Sequence, residues 1–159
     1  MKAAPRLLIA LPQLPFDPAS GAARTATTVG EFLADAGFEV ASISTTSSEA
    51  SSVVDIFALL KVLSIDPERY CDSDCEVIRF SRRRVQHTLL DTRTCSIGRW
   101  ESEHGAHYDR LFAEMLLSFR PNVVMTYGGS IGDLARQRRA CRFRAIQRLL
   151  LVVCVLRSR

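Results

Sequence analysis

Apolar and polar positions alternate with two different periods along this chain. Leu7–Leu11, entered from Arg6, is an unbroken apolar run of the kind a strand shows when both its faces are buried. Further on, Ala26, Val29, Phe32, Leu33 and Ala36 recur at spacings of three and four. That is the apolar stripe of a helix over 22–36. Ser20 or Gly21 stands where an N-cap belongs, and Gly37 suits the position just past the end. Phe38–Ser44 then alternates and reads as a second strand. Strand, loop, helix and strand within about forty residues make a βαβ unit, whose crossover is expected to be right-handed.

The pattern continues after a polar loop, Thr45–Ser52. Val53, Ile56, Phe57, Leu60 and Leu63 mark a second amphipathic helix that stops near Asp66-Pro67. Glu76–Phe80 and Val85–Leu90 read as two strands joined by Ser81–Arg84, whose arginines Arg82, Arg83 and Arg84 read as a solvated rim. Asp91–Glu103 reads as irregular and contains Trp100. The clearest helix follows, with Tyr108, Leu111, Phe112, Met115, Leu116 and Phe119 on one face and Pro121 beyond its end. Asn122–Thr126 reads as another buried strand, Tyr127-Gly128-Gly129 turns out of it, and a further helix is expected after Ser130. The order β-α-β-α-β-β-α-β-α predicts an α/β, Rossmann-like three-layer domain with a mostly parallel sheet.

Composition changes this picture little. A chain of 159 residues with 47% hydrophobic and 24% charged positions is an ordinary globular domain able to bury a core. Its net charge of +4 is carried by one segment: no acidic residue follows Asp133, and eight arginines lie between Arg136 and Arg159. The remainder has 13 basic residues against 17 acidic ones, so the charge does not point to a nucleic-acid partner. Five cysteines (Cys71, Cys75, Cys95, Cys141, Cys154), no export signal and no apolar run of spanning length favour a cytoplasmic protein with reduced thiols. Any membrane contact is expected to be peripheral.

Four groups of residues carry candidate chemistry. The loop Ser20-Gly21-Ala22-Ala23-Arg24 leads from the first strand into a helix N-terminus, whose free N–H groups and positive dipole end suit a phosphate or carboxylate. The fingerprint G-x-G-x-x-G is absent, which argues against an ordinary NAD site. Tyr127, Gly128 and Gly129 follow another buried strand and belong on the same carboxyl-end crevice, where two glycines admit a ligand close to the backbone. Cys71 and Cys75 with His104 and His107 offer zinc-type ligands, but the histidine pair is far from the cysteines in sequence, so thiols and surface histidines are the preferred reading and no metal is assigned. His104 and His107, just before the helix at Tyr108, could serve as acid/base groups but read more simply as polar loop residues. Neither a G-x-S-x-G elbow nor a P-loop is present, and no catalytic residue or cofactor is assigned.

Two stretches carry a resemblance. Leu7-Leu8-Ile9-Ala10-Leu11-Pro12, Asp17-Pro18-Ala19-Ser20-Gly21-Ala22-Ala23-Arg24 and Phe32-Leu33-Ala34-Asp35-Ala36-Gly37-Phe38-Glu39-Val40 form one. Tyr108-Asp109-Arg110-Leu111-Phe112 with Phe119-Arg120-Pro121-Asn122-Val123-Val124-Met125-Thr126-Tyr127-Gly128-Gly129 form the other. Together they resemble the N-terminal half of GT-B-fold glycosyltransferases of the retaining family with a group-1 C-terminal domain, over residues 6–44 and 107–135. The resemblance implies transfer of a sugar from a nucleotide-activated donor to a glycan or small-molecule acceptor. It implies that this half holds mainly the acceptor, and that Ser20, Gly21, Ala22, Arg24, Tyr127, Gly128 and Gly129 face the cleft or the donor phosphates.

The chain departs from that family in several places. One glycine of the usual loop pair is Ala22, and Asn122 replaces the usual aspartate after Arg-Pro. The donor-binding half with its Glu-x7-Glu motif is missing, so activity of this chain by itself is doubtful. Residues 1–137 are assigned to the transferase-like domain. Residues 138–159, arginine-rich and free of acidic residues, are read as a truncated or frame-shifted tail. The alternative makes Ile131–Gln147 a helix and Leu149–Leu156 a buried strand. The rival functional readings are a non-catalytic Rossmann-like binding domain and a sugar-nucleotide epimerase.

Overall fold

The computed structural model describes residues 3–48, 55–72, 75–92, 99–127, 142–145 and 151–155. In chain order these form β1 (Arg6–Ala10), α1 (Gly21–Asp35), β2 (Glu39–Thr45), α2 (Ile56–Val62), β3 (Glu68–Asp72), β4 (Cys75–Arg82), β5 (Val85–Leu90), α3 (Trp100–Phe119), β6 (Val123–Tyr127), β7 (Arg142–Ala145) and β8 (Leu151–Val155). The strands make one sheet in the order β3-β4-β5-β2-β1-β6-β8-β7. Its centre, β5-β2-β1-β6, is parallel, and the pairs on both flanks are antiparallel. The sheet is therefore mixed; the expected parallel arrangement holds in its central four strands.

Alternation along β1 sets the layers. Leu7 and Ile9 pack with Val40, Val85, Ala26 and Ala34 beneath α1. Leu8 and Ala10 pack with Ala41, Ile43, Trp100, Tyr108, Leu111 and Phe112 beneath α3. Successive strand residues point to opposite faces, so α1 and α3 cover opposite faces of the sheet. A third cluster, Leu14, Ile56, Leu60, Ile78, Phe80 and Leu89, places α2 beside α1.

The face that α1 buries is not the one its large side chains mark. Ala23, Ala26, Gly30 and Ala34 are buried, whereas Phe32 is 70% exposed. Small residues let the helix approach the sheet closely: a Cβ on Gly30 would lie 2.8 Å from Ile9 Cδ1. Val29 and Leu33 flank this seam, and Phe32 lies outside it.

Other elements also depart from expectation. α3 begins at Trp100, two turns before Tyr108, and so includes His104 and His107. Glu101 and Glu103 in its first turn complement the positive end of the helix dipole. β3 was not foreseen; it is a mostly exposed edge strand with little apolar signal. The Arg82–Val85 connection is a two-residue turn in which Arg83 and Arg84 adopt φ of 45° and 64°. Arg82 and Arg83 do not form a purely solvated rim, since both pair with Glu31 on α1 and so clamp the hairpin to it. Arg142–Ala145 is strand where the alternative reading has helix, and β8 lies within Leu149–Leu156 but joins β6 antiparallel. The helix expected after Ser130 falls outside the described residues.

Candidate functional site

The strand order reverses at β1. From β1 the chain moves outward through β2 to β5, then returns along α3 to β6 on the other side of β1. The crossover helices α1 and α3 therefore lie on opposite faces of the sheet on the two sides of this reversal. At such a reversal the carboxyl ends of neighbouring parallel strands leave an open cleft, the usual ligand position in open α/β sheets. The segment following β1 (11–20) borders this cleft, and β6 delivers Tyr127 to it.

The segment after β1 is fixed by its own polar side chains. Asp17, fully buried, accepts the Ala19 N–H at 2.9 Å and the Ser48 hydroxyl at 2.9 Å. Thr45 Oγ1 donates to the Pro12 carbonyl at 2.7 Å, and Thr27 Oγ1 donates to the Pro15 carbonyl at 2.6 Å. Leu14 N–H donates to the Ser47 carbonyl at 2.8 Å while the Leu14 side chain is buried. At the ends of β2 and β5, Thr46 Oγ1 donates to Asp91 at 2.9 Å, and Ser47 Oγ lies 2.9 Å from Thr92 Oγ1. A loop so tethered presents a fixed surface, which is what a binding site on a loop requires.

From the opposite face, Tyr108 reaches through the sheet edge. Its hydroxyl donates to the carbonyls of Leu11 at 3.1 Å and Ile43 at 3.3 Å. Burial, with Asp109 adding to it, pushes the Tyr108 phenol well above its ordinary pKa, so it remains a donor. On the α1 face, His87 Nδ1 lies 2.7 Å from Ser42 Oγ, and the ring stacks on Phe80 and meets Phe16 edge-on. Burial, reinforced by the Arg82 charge, lowers the His87 pKa to about 3, so the ring is neutral at physiological pH.

The residues singled out in the sequence are distributed as follows. Ser20 is buried and is the N-cap of α1: its hydroxyl accepts the Ala23 N–H at 3.3 Å and the Gln13 amide. It shapes the helix start. Gly21 is exposed, with open space where a Cβ would be, and Ala22 is half-buried. Gly21 and the exposed Arg24 line a shallow hollow of about 410 Å³ with Thr25, Thr28 and Val29, on the outer side of α1. The first turn of α1 contains no acidic residue. Tyr127 is half-buried at the end of β6 and packs against the α1-side cluster. Gly128 and Gly129 lie outside the described residues.

The structure also divides the cysteines and histidines considered for a metal. Cys75 opens β4 opposite Asp72, while Cys71 pairs with Glu76 one step along and so points to the other face of the sheet. His104 and His107 approach Cys75 from α3, and one potential ligand atom from each of the three lies within 4.8 Å of the others. Sequence spacing did not show this, because the contact depends on α3 starting early and on β4 packing beneath it. Gln13, Asp17, Thr45, Ser48 and Tyr108, which hold the loop, were also missed; the Asp-Pro-Ala turn signal at Asp17 was the cue available.

Comparisons of the chain with models of known protein families, with curated proteins and with solved structures find no match. Among the described residues, no helix is long and apolar enough to cross a membrane.

Proposed function

We propose that this chain is the acceptor-side, Rossmann-like half of a GT-B-type sugar-transferring enzyme. In this reading the cleft between the carboxyl ends of β1 and β6 takes a glycan or small-molecule acceptor. The N-terminus of α1 faces the diphosphate of a nucleotide-sugar donor, most of which is held by a separate donor domain. The observation that carries the reading is the reversal of strand order at β1, whose two flanking strands, β1 and β6, both fall within the resembling sequence stretches. The rigid β1 loop and the acid-free first turn of α1 support it.

The test is a thermal-shift titration of the chain with a panel of glycans, simple glycosides, and UDP- and GDP-sugars. A ligand that binds only the folded state raises the melting temperature by mass action. The expected result is a saturable rise with a glycan or glycoside, with nucleotide sugars giving little. Gly21→Val and Tyr127→Ala separate the two parts of the site. Gly21 has room for a side chain, so Gly21→Val keeps the melting temperature of the unliganded chain and leaves acceptor binding intact. Tyr127→Ala weakens acceptor binding. A rise with nucleotides only, or acceptor binding unaffected by Tyr127→Ala, overturns the reading.

A further inference from the structure

Cys75 is buried at the start of β4, and His104 and His107 stand half-buried in the first two turns of α3. β4 runs opposite to β5, so Cys75 lies at the carboxyl ends of the parallel strands, the edge that also carries the β1 loop. Thiol and imidazole atoms from these three residues lie within 4.8 Å of one another. The Nδ1 atoms of both histidines are buried, and neither has a hydrogen-bond partner among the described residues. An unpaired imidazole nitrogen shielded from water loses hydration with nothing in return, and two imidazoles gathered with one thiol form a ready set of electron-pair donors.

We propose that Cys75, His104 and His107 bind a zinc-class divalent cation. A thiolate with two neutral imidazoles is a borderline-soft donor set that favours zinc over magnesium or calcium, whose sites are built from oxygen. Bond lengths of about 2.3 Å to sulfur and about 2.0–2.1 Å to nitrogen place tetrahedral ligand atoms about 3.3–3.6 Å apart. The present separations, all within 4.8 Å, are close to that range. Three protein ligands leave a fourth position for water or another exchangeable ligand. Asp72, opposite Cys75 in the β3–β4 ladder, gives its carboxylate to Arg110 of α3 at 2.9 Å and braces the same junction. The ion would pin α3 to the antiparallel flank of the sheet. The inference does not depend on the sugar-transfer reading.

Cobalt(II) titration of the reduced, metal-stripped chain tests it, because a thiolate ligand gives a charge-transfer band and tetrahedral geometry gives intense visible bands. The expected outcome is one equivalent of cobalt with both signatures, displaced by zinc, and a zinc-dependent rise in melting temperature. Cys75→Ser abolishes the charge-transfer band. His104→Gln and His107→Gln each weaken binding by at least about tenfold, since loss of even an outer partner of a metal ligand costs about 10–100-fold. Both histidines are half-buried, so their variants remain informative if Cys75→Ser fails to fold. Cys71→Ser changes nothing. Absence of the tetrahedral spectrum, a spectrum that survives both histidine substitutions, or one abolished by Cys71→Ser overturns the proposal.

Discussion

His87 shows how one buried side chain makes the stability of this fold depend on pH. Its ring is held between Phe16 and Phe80 against Ser42, with Nε2 buried and without a partner among the described residues. Burial and the nearby Arg82 lower its pKa from 6.5 to about 3. Above the unfolded value the ring is neutral in both states, and pH has no effect through this group. Between the two values the unfolded chain takes up a proton that the folded chain refuses, so stability falls as pH falls. The slope is at most about 1.4 kcal/mol per pH unit. Urea midpoints of the native chain are therefore expected to drop steadily from about pH 6.5 downward. His87→Gln, which retains an acceptor for Ser42 but does not titrate there, flattens that slope. Equal slopes for both proteins remove His87 from the account. The position of His87 in an alternating strand was legible in the sequence. Its edge-on contact with Phe16 was not, because that contact requires the β1 loop to fold back over β4 and β5.

At the level of elements, the β4–β5 hairpin contains a testable strain. The two-residue turn places both Arg83 and Arg84 at positive φ, the geometry of a type I′ turn, which favours Asn-Gly. Left-handed backbone costs a side-chain-bearing residue about 1 kcal/mol or more. The Arg82 pair with Glu31 and its guanidinium 5.0 Å from the Phe16 ring centroid hold the hairpin from outside the turn. Arg84→Gly is expected to raise stability by about 1 kcal/mol, read as a higher urea midpoint with unchanged m-value. Arg83→Asn gains less, because it gives up a long, 3.8 Å pair between an exposed arginine and the mostly buried Glu31, worth about a few tenths of a kcal/mol. A lower midpoint for Arg84→Gly contradicts the strain. Both strands of this hairpin were legible in the sequence, unlike three other features. The seam of α1 is made of small residues, so hydrophobic size pointed to Phe32 and away from Ala23, Gly30 and Ala34, although Ala26 was included in the stripe. The first two turns of α3 carry few large apolar residues, so periodicity begins at Tyr108. β3 is polar because it is an edge strand, and its place comes from pairing with β4.

Across the whole molecule, local pattern was sufficient for the βαβ start and for the apolar strands on either side of the crevice. Strand order was not legible, since the position of β5 beside β2 and the return to β6 are long-range pairings that no window of sequence contains. That order is what puts the reversal at β1, and Tyr108 shows how the layers are held together beside it. The side chain comes from α3, on one face, and its hydroxyl reaches the carbonyls of Leu11 and Ile43 where β1 and β2 end. The Ile43 carbonyl already accepts the Leu11 N–H at 2.9 Å, so the bond to Leu11 is the one that Tyr108→Phe removes without replacement. Loss of a buried hydrogen bond of this kind costs about 0.5–1.5 kcal/mol. Leu11 is also the first residue of the tethered loop, so the same change frees the entrance of the crevice. Tyr108→Phe is therefore expected to lower the urea midpoint modestly and to speed amide exchange around Leu14 and Asp17. Exchange in β4 should change only as much as the global loss of stability requires. Uniform acceleration everywhere would mean that Tyr108 only fills space. Acceleration confined to the β1 loop would mark the hydroxyl as the strut that sets the loop against the sheet edge.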